Sequence, residues 1–139
     1  MSKYVLWAIT GAGYKIRSVF ETMLKLKSEL NIKITIVLSR AGYEVSRLYG
    51  VLGKLKLLSS GEYYEEIFVE NPIKPISRLP GRVMLGKYEL LIMAPTTANT
   101  IAKIVNGIAD TLVTQVYAMA EKSKTKVIIM PSDLSLIHI

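Results

Sequence analysis

The stretch Ala94-Pro95-Thr96-Thr97-Ala98-Asn99-Thr100 places four hydrogen-bonding side chains, Thr96, Thr97, Asn99 and Thr100, within five positions. Each hydroxyl and the carboxamide can both donate and accept. An apolar run, Tyr88-Glu89-Leu90-Leu91-Ile92-Met93, precedes them and a helical pattern follows, so they stand beside the free N–H groups of a starting helix. Capping that helix needs one threonine. The surplus makes a rim of neutral partners suited to a flat heterocycle bearing carbonyls and N–H groups, such as a flavin.

A second group suits an anion. Gly11-Ala12-Gly13 after Thr10 lets the backbone approach a phosphate, and the helix that follows offers N–H groups and its positive dipole end. The dinucleotide fingerprint is incomplete, because Ile16 stands where a third small residue belongs. Ser39-Arg40 stands where an acidic residue would hold a ribose. A hydroxyl and a guanidinium fit either the terminal phosphate of a mononucleotide or the 2′-phosphate of NADP; a tight turn with a surface arginine is the plainer alternative. The segment "GAGYKIRS" does not have the P-loop spacing, which leaves nucleotide hydrolysis without support. Met130-Pro131-Ser132-Asp133 follows the fifth strand pattern and is a further place at the carboxyl ends of the strands.

Strand and helix patterns must position these groups. Tyr4 to Thr10 reads as a strand; Ile16, Val19, Phe20, Met23 and Leu24 then recur at helical spacing, and a helix runs to about Leu30. Residues 32–39 form a second strand. Val45, Leu48, Tyr49, Leu52 and Leu55 are the stripe of one helix broken at Ser59-Ser60-Gly61. Residues 66–70 are a third strand, and a short helix over 77–85 is interrupted by Pro80-Gly81. Residues 88–94 are the fourth strand, followed by helices over Thr97–Asn106 and from Asp110 to about Lys122, with Asn106-Gly107 as the stop between them. Lys126 to Met130 is the fifth. Strands alternating with helices mean βαβ units and a three-layer, doubly wound, Rossmann-like parallel α/β sheet, with ligands at the carboxyl ends of its strands.

Composition bounds the chemistry. The 139 residues, 50% hydrophobic, make one domain able to bury a core. Cysteine is absent, which excludes disulfides, thiolate nucleophiles and cysteine-bound metal from these residues, and no metal site is expected. Redox chemistry therefore needs a borrowed cofactor. No apolar run reaches the roughly 18 residues of a membrane span, and the N-terminus does not read as a cleavable signal, so no membrane association and a cytoplasmic location are expected. The formal charge of +7 is dispersed over several helices and loops rather than clustered, which argues for solvated faces and anionic small molecules over nucleic acid.

The segment "APTTANTIAKIVNGIADTLVTQV", residues 94–116, resembles the Ala-Pro-x-x-Ala-Asn-Thr-x-Ala-Lys…Gly-Ile-Ala-Asp signature of the homo-oligomeric flavin-containing cysteine decarboxylase superfamily. With "ITGAG" at 9–13, "LSRAG" at 38–42 and "MPSD" at 130–133, the resemblance covers nearly the whole chain and is strongest to archaeal flavoproteins and B-type dihydromethanopterin reductases. It implies bound FMN in a flavoprotein fold, with the flavin at a subunit interface of trimers or their multiples. Gly11, Ala12, Gly13 and Ser39, with Arg40, would hold the phosphate and ribitol; Ala94, Pro95, Thr96, Thr97, Ala98, Asn99 and Thr100 would line the isoalloxazine, with Met130 and Pro131 nearby. Asp110 would cap the next helix or form part of the subunit contact, the cap being the favoured role.

Departures narrow the activity. The decarboxylases use a histidine and a Pro-Ala-Met-Asn clamp, whereas residues 131–133 here are Pro-Ser-Asp and the one histidine is His138. What remains is electron or hydride transfer through FMN to a pterin-like acceptor, or a flavin electron carrier docking redox proteins such as ferredoxin; an NADP-binding module stands third. No catalytic residue is assigned. Residues 1–133 are expected to form the flavoprotein domain. Residues 134–139, "LSLIHI", match the translation of a transposon end used in sequencing libraries and are expected to be a non-native tail on a truncated chain. A mean hydropathy of +0.33 with 21% charged residues, and apolar Val105, Ile108, Met119 and Ala120 beyond the sheet-facing stripe, predict a homo-oligomer.

Overall fold

The run Lys3–Ile9 is buried on both faces of its strand, as a central parallel strand requires, and it forms β1 of a five-stranded sheet. This computed structural model describes residues 2–13, 16–71, 73 and 77–132. β1 pairs in parallel with β2 (Ile32–Leu38) on one side and β4 (Tyr88–Thr96) on the other. β3 (Ile67–Val69) lies outside β2 and β5 (Lys126–Pro131) outside β4, giving the order β3-β2-β1-β4-β5. The chain order reverses between β1 and β4, which makes that junction the switch point of the sheet.

Helices cover both faces. On one, Ile16, Val19 and Met23 of α1 (Ile16–Glu29) and Leu55 and Leu58 of α3 (Leu52–Leu58) pack on Trp7, Ile9, Ile34, Ile36 and Leu38. On the other, Leu79 and Val83 of α4 (Leu79–Met84) and Leu112, Val113, Val116 and Ala120 of α6 (Leu112–Lys122) pack on Leu6, Ala8, Val37, Leu91 and Met93. This is the expected doubly wound, three-layer α/β sheet. Pro80 occupies the first turn of α4, where its missing N–H is no loss, so the short helix forms despite Pro80-Gly81.

The structure departs from the sequence reading in three places. The stripe from Val45 to Leu55 is two helices, α2 (Arg40–Leu48) and α3, because Gly50 takes a φ of +72° and turns the chain. β4 continues through Thr96, two residues past the expected end. Ala120 is fully buried and Met119 packs against the core, so the apolar surface between α5 (Ala98–Val105) and α6 is narrower than expected and consists chiefly of Val105 and Ile108. Residues 133–139, including Asp133, His138 and the expected tail, lie outside the described residues.

The amino-terminal half of the sheet is locked by a polar cluster under α4. Arg82 pairs with Glu66 through two bonds, Nη1 to Oε1 at 2.5 Å and Nη2 to Oε2 at 3.0 Å. Its guanidinium lies 4.7 Å from the Tyr64 ring centre. The Tyr88 hydroxyl donates to Thr35 Oγ1 at 3.0 Å, and Thr35 donates to the Tyr64 carbonyl at 2.9 Å. The Arg82 hydrogen bond holds the Glu66 carboxyl below its ordinary range, while burial raises the Tyr88 phenol.

Candidate functional site

The carboxyl ends of β1, β2 and β4 open into one cavity of about 220 Å³ at the switch point. It is lined by Thr10, Gly11, Ser39, Arg40 and Ala41 on the β1–β2 side and by Thr97, Asn99, Thr100 and Lys103 on the α5 side, with Glu70, Thr111 and Val113 completing it.

On the first side, sequence forces a close approach of backbones. The Ser39 N–H donates to the Ile9 carbonyl at 3.0 Å, and the Ser39 hydroxyl caps α2 by accepting the Gly42 N–H at 2.9 Å. A Cβ at Gly42 would run into the Ile9 carbonyl, and one at Gly11 would come within 2.6 Å of the Ala41 Cβ. Both glycines thus let the first turn of α2, with its free N–H groups, rest against the end of β1. Arg40 is exposed and takes part in no ion pair among the described residues. An uncommitted guanidinium beside a helix N-terminus and a cradle that a Cβ would fill fits a phosphate. Ala12, which is buried, and Gly13, where a Cβ would meet the Tyr49 ring at 2.8 Å, follow Gly11 but are not among the residues lining the cavity.

On the second side, Thr10 does the joining. Its hydroxyl donates to the Pro95 carbonyl at 2.9 Å and accepts the Thr97 N–H at 2.9 Å. The Ala94–Pro95 peptide is cis, and the Ala94 carbonyl accepts from Trp7 Nε1 at 2.8 Å. Thr97 caps α5, accepting the Thr100 N–H at 3.3 Å and donating to the Thr100 hydroxyl at 3.0 Å. The Asn99 carboxamide is exposed and hydrogen-bonds to no described residue, leaving its full donor and acceptor capacity at the cavity.

Not all of the expected residues meet there. Thr96 is fully buried, its hydroxyl donating to the Met93 carbonyl at 2.6 Å, and with Ala94 and Pro95 it forms the packed backing of the site. Ala98 is exposed and outside the lining. Met130 and Pro131 line a separate apolar cavity of about 600 Å³ with Trp7, Ile92, Ala94 and Ile128. Asp110 does not cap α6. Thr111 does, its hydroxyl accepting the Thr114 N–H at 3.2 Å, while Asp110 accepts from Lys103 Nζ at 3.0 Å.

Sequence reasoning missed Thr10, Ala41, Glu70, Lys103, Thr111 and Val113 as lining residues. Lys103 was findable, since it falls one turn after Asn99 on the same helical face. Glu70 was not, because only the β2–β3 pairing, in which its N–H donates to the Leu38 carbonyl at 3.0 Å, brings it to the rim. No cluster of metal-binding side chains occurs among the described residues.

In an open parallel α/β sheet ligands bind beyond the carboxyl ends of the strands at the switch point, which is where this cavity lies. Residues 1–136 match the model of the Flavoprotein family, and the chain belongs to that family. It is 48% identical over 130 residues to a dihydromethanopterin reductase (acceptor) of Methanocaldococcus jannaschii, covering 93% of this chain and 53% of the relative. A dihydromethanopterin reductase (acceptor) of Methanosarcina mazei is 38% identical over 131 residues, covering 94% and 55%. The chain spans about half the length of these curated relatives. Among solved structures, Burkholderia xenovorans DmrB in complex with FMN, described as a cubic protein cage for redox transfer, superimposes with a TM-score of 0.70 at 30% identity, covering 94% of this chain and 66% of that one.

Proposed function

We propose that this chain binds FMN at the switch-point cavity and serves as an oxidoreductase domain passing electrons or hydride to a pterin-like small acceptor. The carrying observation is that Gly11, Ser39 and Arg40 share one cavity with Thr97, Asn99 and Thr100. The FMN bound by DmrB and the activity named for the methanogen relatives support the reading.

In this reading Arg40, the Ser39 turn and the first-turn N–H groups of α2 hold the phosphate, with Gly11, Ala12 and Gly13 allowing the backbone to approach. Asn99, Thr97 and Thr100 offer neutral hydrogen bonds to the ring edge, and Ala94, Pro95 and Thr96 hold that rim in register from behind. Bound FMN supplies the redox chemistry, and the protein supplies position, desolvation and local charge. The Pro-Ala-Met-Asn clamp of the decarboxylases is not matched by Pro131-Ser132-Asp133, which favours redox transfer over decarboxylation.

The purified protein should carry a flavin absorption spectrum, and the released cofactor should contain one phosphate. A colourless protein that takes up no FMN would overturn the reading. Reduction of a dihydropterin by the reduced, FMN-loaded protein distinguishes the enzyme from a carrier, which would pass electrons only to a protein such as ferredoxin.

We further propose assembly into a homo-oligomer, a trimer or a multiple of it, through the surface bearing Val105 and Ile108, which are 76% and 46% exposed. Val105→Lys should shift sedimentation toward the monomer; an unsubstituted protein that is monomeric at micromolar concentration refutes the assembly.

A further inference from the structure

Lys103 is a cation of the cavity that a phosphate on the α2 side leaves without a role. It follows Thr100 by three residues and Asn99 by four, so the three side chains share one face of α5, and all three line the cavity. Its Nζ donates to Asp110 Oδ1 at 3.0 Å. The lysine side chain is 25% exposed and the aspartate 59%. The ammonium is therefore partly withdrawn from water, while its partner carboxylate lies in solvent, where screening limits how much of the positive field it cancels. Arg40 stands across the cavity on α2, beside Ser39 and Gly11. The two cations thus sit on different elements, one with the anion cradle and one with the neutral rim.

We propose that Lys103, steadied by Asp110, stabilises the negative charge of the reduced flavin ring and so sets its reduction potential. This rests on the FMN reading above. A donor such as dithionite delivers two electrons to the neutral oxidised ring, one proton comes from water, and one net negative charge remains on the ring. A cation beside the ring in a partly desolvated cavity lowers the free energy of the reduced form more than that of the oxidised form. Asp110 acts as a positioning residue: joined to Lys103 across the α5–α6 turn, it limits the conformations open to the long side chain.

The test uses the FMN-loaded protein with its Lys103→Met and Lys103→Arg variants, and riboflavin as the phosphate-free probe. Dithionite titration against reference dyes gives the midpoint potential, and equilibrium binding gives the ratio of FMN to riboflavin affinity. Lys103→Met is expected to weaken reduced relative to oxidised flavin about tenfold, a fall of about 30 mV for a two-electron couple, with the FMN-to-riboflavin ratio unchanged. Lys103→Arg should recover most of the shift. So open an ion pair contributes little to stability, and both variants should melt with the parent. A change below about twofold in the Met variant overturns the assignment. So does loss of its preference for FMN over riboflavin, which would put the lysine on the phosphate. If the unsubstituted protein retains neither flavin, the FMN reading itself fails, and this assignment with it.

Discussion

The Thr97 N–H donates to the Thr10 hydroxyl at 2.9 Å, tying the end of β1 to the first turn of α5 across the switch point. The same hydroxyl donates to the Pro95 carbonyl, so a single oxygen aligns both walls of the cavity. Thr10 is only 2% exposed, and water cannot readily replace it.

Thr10→Val keeps the shape and removes both bonds, leaving the Thr97 N–H without its acceptor. Destabilisation of about 1–3 kcal/mol is expected, with weaker FMN binding because the α5 rim loses its anchor to β1. Urea unfolding and flavin titration check the two effects; unchanged stability would mean that the bonds are replaced by others.

Gly13→Val tests the anion cradle. The valine would press on the Tyr49 ring, which is 41% exposed and able to move aside, so much of the fold should survive. The close approach of backbone to phosphate should not, and FMN affinity is expected to fall by more than about tenfold, or 1.4 kcal/mol. Normal FMN affinity in a folded variant would place the phosphate elsewhere.

Asn99→Leu removes the uncommitted carboxamide from an exposed helical position, so stability should change by less than about 0.5 kcal/mol. Flavin binding should weaken, or the reduction potential shift, through loss of a hydrogen bond to the ring edge. If spectrum, affinity and potential are all unchanged, Asn99 is a surface residue and no more.

Glu66→Gln addresses the cluster under α4. Its folded-state pKa lies below the unfolded value of about 4.3, so the Arg82–Glu66 contribution is whole above that pH and is lost as pH falls through the folded value. Removing the charge should cost about 2 kcal/mol at neutral pH and flatten the acid limb of the stability curve below about pH 4. Denaturant midpoints from pH 2 to 7 measure both; a parallel acid limb in the variant would show that other carboxyls govern it.

The chain order of strands and helices, the parallel sheet and the placing of Gly11, Ser39, Arg40, Thr97, Asn99 and Thr100 at its carboxyl edge were legible in the sequence, because periodicity, breakers and caps are local signals. Thr96 is buried rather than on the rim, and Thr111 rather than Asp110 caps α6, for one reason. A hydroxyl or carboxylate near a helix start suits a cap, a ligand or a packed backbone bond equally well by type, and only the path of neighbouring chain chooses. Thr96 is drawn into β4 by its register with Pro131 of β5, and Asp110 is turned to Lys103 because Thr111 already serves the N-terminus of α6.

The sequence by itself determined the fold class and the polar chemistry of the rim, since both rest on residue types within a few positions of one another. The tertiary structure decided which of those groups share one cavity. It brought Glu70 to the Leu38 carbonyl through β2–β3 pairing, spent the Thr10 hydroxyl on joining β1 to β4 and α5, and carried Met130 and Pro131 into a different cavity. Such contacts join residues tens of positions apart, and their geometry follows from strand order and register, which no local pattern encodes.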